Sequence, residues 1–101
     1  MPIHSKNKGA SFEREVAQIL REAGFDARRG CQFSGGAESP DVVSNFPFHI
    51  EAKRVEKLNL DKALEQSKKD AGKNKFCVIH RKSRQAPMIT CPLEFILPYL
   101  K

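Results

Sequence analysis

No stretch of the 101-residue chain approaches the roughly 18 consecutive apolar residues that cross a bilayer, which excludes a membrane-spanning protein. The start, Met1 to Phe12, is polar and basic and lacks the apolar core of a secretory leader. The expectation is a protein kept in the cytoplasm, with a compactness that suits a phage or mobile-element origin. Cysteine is sparse: Cys31, Cys77 and Cys91 are an odd set with no C-x-x-C pair, where a disulfide framework would want an even, denser set. A structural zinc site needs close ligand pairs, and His4, His49 and His80 supply none. Three reduced, mostly buried thiols are expected. Repeats, low-complexity tracts and linkers are also lacking. With 40% apolar and 30% charged residues, the chain reads as a single compact domain over 1–101. Within it, 1–10 is expected to form a flexible basic N-terminus and 92–101 a C-terminal helix.

Charge is unevenly spread. The net charge is +6, yet residues 1–50 hold six basic and six acidic side chains and sum to zero. Residues 51–101 hold twelve basic and six acidic, so the whole excess lies there. A basic half of this kind attracts phosphate polymers or anionic surfaces. Ordinary solvation of lysine-rich helix faces is the alternative, and the charge favours nucleic acid over it.

Ser11 can cap a helix that runs to about Gly24, with Phe12, Val16, Ile19, Leu20 and Ala23 on one stripe and Gly24 as its stop. Residues 25–33 read as a strand, and 34–39 as a loop by composition. Val42 and Val43 begin a strand, Asn45 to Pro47 make a turn, and Phe48 to Val55 return as the second arm of a hairpin. Asn59 or Asp61 opens a second helix reaching about Gly72. Phe76 to His80 is a short apolar strand suited to an interior position, and Pro87 to Cys91 is another. Pro92 fits the first turn of a closing helix. The order α-β-β-β-α-β-β-α describes an α+β sandwich around one mixed sheet of about five strands.

The chemistry concentrates in two short segments. Pro40-Asp41 opens one strand, and Glu51-Ala52-Lys53 follows in the next. Strand side chains alternate, so Glu51 and Lys53 share one face while Ile50 and Ala52 share the other. The hairpin brings Asp41 beside them. Two carboxylates and an ammonium at a strand end suit a Mg²⁺-dependent phosphodiesterase. Hard oxygen donors hold the cation, which polarises the phosphoryl oxygen and activates water. Lys53 orients that water or neutralises developing charge. An exposed cross-strand ion pair would show the same E-x-K pattern. Glu13, at the edge of the first helix's apolar stripe, can lean over the sheet to join Asp41 and Glu51; a glutamate stabilised by the helix dipole is the alternative. Gln66, on the second helix, either meets the site or faces water.

The segment Lys8-Gly9-Ala10-Ser11-Phe12-Glu13-Arg14-Glu15 resembles the K-G-x-x-x-E-R-E start of archaeal Holliday junction resolvases. Gly24-Phe25, Arg29, Ser34-Gly35-Gly36, Pro40-Asp41 and Ile50-Glu51-Ala52-Lys53 follow in that family's order, so the resemblance spans roughly residues 6–81. Those enzymes are PD-(D/E)XK nucleases with a restriction-endonuclease-like fold of helices flanking a central mixed sheet. The resemblance implies that Glu13, Asp41 and Glu51 form the acidic, metal-holding site, that Lys53 is the catalytic lysine, and that Gln66 is the helix glutamine of many superfamily members. It implies contacts to DNA phosphates from Arg14 and Arg29, a junction-approaching loop at Ser34, Mg²⁺ or Mn²⁺ as cofactor, and a homodimer. Lys8 is placed with the DNA-binding residues, and so are Arg54, Lys57 and Lys69 of the basic half, which also includes Lys68, Arg81, Lys82 and Arg84. The short hairpin and the tail from Pro92 to Lys101 depart from the family pattern.

That tail carries Phe95, Ile96, Leu97, Tyr99 and Leu100, enough apolar surface either to close the core or to form an interface. The reading favoured by the sequence is a Mg²⁺-dependent, structure-selective DNA endonuclease of Holliday junction resolvase type. The alternatives are another PD-(D/E)XK nuclease of phage, repair or restriction type, and a non-catalytic basic nucleic-acid-binding protein.

Overall fold

A computed structural model describes residues 2–30 and 41–100, with the side chains of 2–9 outside the described set. Cys31, the loop at 34–39 with Ser34, and the end of the strand expected to reach residue 33 lie outside the described residues. The elements are α1 (Pro2–Glu22), β1 (Ala27–Arg29), β2 (Val42–Ser44), β3 (His49–Arg54), α2 (Leu60–Ala71), β4 (Phe76–Arg81), β5 (Met88–Thr90), the single-turn α3 (Leu93–Ile96) and a closing 3₁₀ turn, Leu97–Tyr99. This is the expected α+β order.

Helix α1 starts at Pro2 and not at Ser11, which lies inside it. Proline is tolerated in a first turn because its missing N–H has no partner there anyway, and the helix continues through Gly9 and Ser11. Its end is as expected. Gly24 takes φ +102°, its N–H donates to Arg21 O at 3.0 Å, and the Phe25 N–H reaches Leu20 O at 3.0 Å. That pair of bonds satisfies two final carbonyls and needs the left-handed residue glycine supplies. The buried stripe is narrower than the periodicity suggests: Phe12, Val16, Ala17 and Leu20 are buried, while Ile19 and Ala23 are exposed.

The five strands of the described residues form two sheets, not the single sheet expected. β1 and β2 are antiparallel, with Arg29 opposite Val42. β3, β4 and β5 form a mixed sheet in that order, β3 parallel to β4 and β4 antiparallel to β5. The parallel pair is joined through α2, the crossover that parallel strands require. β2 therefore pairs with β1, and the expected β2–β3 hairpin ladder is not made among the described residues. The two sheets are instead stitched at Asp41. Its N–H donates to Ile50 O at 3.2 Å, and its carboxylate accepts the Ala52 N–H at 2.8 Å. A side chain occupies the donor that a hairpin partner's carbonyl would have taken.

The β3–β4 sheet separates two unlike layers. With Ile50 opposite Cys77 and Ala52 opposite Ile79, one face turns toward α1 and joins Phe12, Val16, Leu20, Val42 and Phe48 in the core. The other face carries His49, Glu51 and Lys53 and is covered by α2. Asn59 caps α2 by accepting the Lys62 N–H at 3.1 Å, and Gly72 ends it. Small residues at Ala63, Ser67 and Ala71 let it lie close, and the buried Ser67 hydroxyl donates to Cys77 O at 2.9 Å. Cys77 is fully buried and reduced, its thiol pushed up to about 12 by burial, and Cys91 is also free.

The tail forms only one helical turn before the 3₁₀ turn, because Pro98 cannot continue the hydrogen-bonding of a helix. Phe95 closes the aromatic edge of the core against Phe76 at 5.1 Å and Phe48 at 6.0 Å. Leu93, Leu97 and Leu100 remain exposed.

Candidate active site

Asp41 is fixed first. It stands where the two sheets meet, nine-tenths buried, with its carboxylate held by the backbone of Ala52. Ala52 is flanked in β3 by Glu51 and Lys53, so that hydrogen bond sets Asp41 beside both. Glu51 is 7% exposed, and its carboxylate lies 3.4 Å from Lys53 Nζ. The Glu51 pKa is pushed up to about 6, chiefly by burial and then by the negative charge of Asp41, with Lys53 acting in the opposite direction. Two carboxylates crowded on a buried strand with one ammonium lack positive charge, and their hard oxygen donors fit a divalent cation.

From α2, Gln66 donates its amide to both carboxylate oxygens of Asp70, at 2.9 and 3.0 Å. Gln66 and Lys53 line the same cleft of about 310 Å³, together with Val55, Leu58, Asn59 and Ala63. The glutamine thus belongs to the Glu51–Lys53 side of the sheet. Glu13 projects half-buried from α1 and pairs with Arg29, Oε1 to Nε at 2.8 Å. Arg29 faces Val42, the neighbour of Asp41, so Glu13 stands at the same end of the fold. The residues expected to hold metal and to touch phosphate are here bonded to each other.

Of the other expected DNA contacts, Arg14, Lys57 and Lys69 are exposed. Lys69 shares an open cleft along α2 with Lys62, Glu65, Gln66 and Lys68. Arg54 is half-buried, with an Nε that has no hydrogen-bond partner. Arg81 is engaged by Glu15 at 2.6 Å, which ties β4 to α1. Lys8 lies on α1 with its side chain outside the described residues, and Ser34 lies outside them altogether.

Two neighbours of Glu51 do not figure among the expected residues. A ring nitrogen of His49 and a carboxylate oxygen from each of Glu51 and Asp70 lie within 4.8 Å of one another. Both had a signal in the sequence. His49 shares the alternating face of Glu51 and Lys53, and Asp70 stands one helical turn after Gln66.

The family model described as archaeal Holliday junction resolvase (Hjc) matches residues 4–69, which include Glu13, Asp41, Glu51, Lys53 and Gln66. A comparison with curated proteins gives no match. Among solved structures the chain is similar to that of Archaeoglobus fulgidus Hjc, a Holliday junction resolvase from an archaeal hyperthermophile, with a TM-score of 0.59 and 26% identity over 83% of this chain and 75% of that one. The restriction-endonuclease-like fold expected from the motifs is the fold of this chain. By the extent of the family match, the chain belongs to the archaeal Holliday junction resolvases.

Proposed function

We infer that this chain is a metal-dependent endonuclease of Holliday junction resolvase type, which hydrolyses phosphodiester bonds in branched four-way DNA. The observation that carries the reading is the fixed trio at β3: Asp41 tied to Ala52 N at 2.8 Å, with Glu51 and Lys53 on either side of that residue, 3.4 Å apart. Family membership supplies the substrate class.

Asp41 and Glu51 are the oxygen donors for Mg²⁺ or Mn²⁺, with Glu13 joining them when Arg29 turns to a DNA phosphate. A divalent ion bound there supplies a Lewis acid for the scissile phosphate and lowers the pKa of water. Lys53 neutralises the charge that builds on the phosphate. Gln66, oriented by Asp70, lines the cleft that Lys53 lines and can position water there. The exposed lysines of α2 and Arg14 track the DNA backbone without reading bases. Symmetric cutting of a four-way junction calls for two such sites related by a two-fold axis, which a homodimer provides.

The test is a cleavage assay on an immobile four-way junction beside a linear duplex of the same sequence, with and without Mg²⁺ at fixed salt. Paired symmetric nicks in the junction alone support the reading. Equal cutting of both substrates would remove the junction selectivity, and binding without cutting in Mg²⁺ and Mn²⁺ would remove the nuclease.

A further inference from the structure

The α2 face of the sheet carries more ligand chemistry than the Asp41–Glu51 pair uses. His49 is two residues before Glu51 on the same face of β3, and Asp70 reaches toward both from the last turn of α2. The three donor atoms lie within 4.8 Å of one another. Opposite ligands of an ion with bonds near 2.1 Å stand about 4.2 Å apart, so a small movement of side chains brings all three into a shell. His49 Nε2 is buried and has no hydrogen-bond partner, a position that costs free energy unless something binds the ring. Asp70 is already oriented, because Gln66 donates to both of its oxygens, as outer partners of metal ligands do. A cleft of about 610 Å³ lined by His49, Asp70, Lys73 and Lys75 leads in from solvent.

We propose that His49, Glu51 and Asp70 form a second cation site, adjoining the Asp41 site and sharing Glu51 with it. One neutral imidazole and two carboxylates suit a borderline ion such as Mn²⁺ or Zn²⁺ better than Mg²⁺, which prefers oxygen alone. Mn²⁺ therefore fills both positions, and Mg²⁺ fills the Asp41 position. The site stands on its own geometry, whereas any use of it in DNA cleavage rests on the nuclease reading above.

Mn²⁺ titration of the full chain without DNA, followed by electron paramagnetic resonance, tests this. The wild type is expected to bind two Mn²⁺ per chain, with spin coupling between them and a nitrogen coupling from the imidazole. His49→Gln should lose the nitrogen coupling and one ion. Asp70→Asn, a near-isosteric change on a helix surface, should weaken that same ion by about 10–100-fold or more. Asp41→Asn should lose the other ion and keep the nitrogen coupling. A single Mn²⁺ in the wild type without nitrogen coupling, or two ions bound unchanged by both His49→Gln and Asp70→Asn, overturns the proposal and leaves the nuclease reading intact. An Asp41→Asn protein that keeps both ions contradicts the first site while leaving the second. Circular dichroism of each variant before metal addition separates lost binding from lost fold.

Discussion

On one face of the β3–β4 sheet, α1 lays Phe12, Val16 and Leu20 against Ile50, Cys77 and Ile79, and the layer is apolar throughout. On the other, α2 lays Ala63, Ser67 and Ala71 over β3, which presents His49, Glu51 and Lys53, and over β4, which presents the buried Phe76 and Val78. Strand β3 thus serves a dry core and a charged site, one residue out of phase, while β4 is apolar on both faces from Phe76 to Ile79. The first face pulls the chain together by removing apolar surface from water. The second works against it by keeping Asp41 and Glu51 close and poorly solvated. A small domain can carry such a cost only because the opposite face is well packed.

Damage to the apolar face should show in stability. Phe12 is 1% exposed at the centre of the α1 layer. Phe12→Ala is expected to lower the unfolding free energy by about 3–5 kcal/mol, read by denaturant melts. Damage to the charged face should show in chemistry. Lys53 is 41% exposed and packs little, so Lys53→Ala should keep the melting temperature close to that of the wild type. It should slow junction cleavage by about 10²–10³-fold while binding stays near wild type. A variant that loses binding and cleavage together would show that Lys53 serves the DNA and not the reaction.

A pH series sharpens the contrast further. Glu51 moves from an ordinary 4.5 to about 6 on folding, first through burial and then through Asp41. Folding therefore favours its protonated form. In metal-free protein this group's contribution is most favourable below pH 4.5 and is lost as pH rises through about 6. A divalent ion competes with that proton, so metal affinity and cleavage should both fall as pH drops through about 6. Thermal melts with and without Mg²⁺ across this range check the sign. The smallest effect is expected from the exposed lysines. Lys69→Ala should leave cleavage chemistry unchanged, weaken junction binding modestly, and reduce the salt slope of log K by about one.

Much of this division is legible in the sequence, and for a local reason. The alternation Ile50-Glu51-Ala52-Lys53 assigns the two faces before any fold is known, and β3 obeys it. Gly24 and Asn59 mark their helix boundaries through hydrogen bonds that belong to neighbouring residues. What depends on distant partners is less legible. The joint between the two sheets is made by Asp41, whose side chain takes the Ala52 N–H of β3. The Glu13–Arg29 pair joins residues from α1 and β1, and neither residue type announces the other. The start of α1 at Pro2 is not marked by Ser11, a residue that caps helices well but here sits inside one, after Gly9. The split of the tail, with Phe95 packed and Leu93, Leu97 and Leu100 exposed, is not marked by hydrophobicity, which is alike for all four.

Glu51→Gln tests the central claim most directly, because it removes the charge and keeps the shape. Melting temperature in metal-free buffer near neutral pH and cleavage of a four-way junction in Mg²⁺ would be measured on the same preparation. A face that holds buried charge for the sake of chemistry predicts a variant that melts higher than the wild type and does not cut. A variant that melts lower and still cuts the junction would contradict the account.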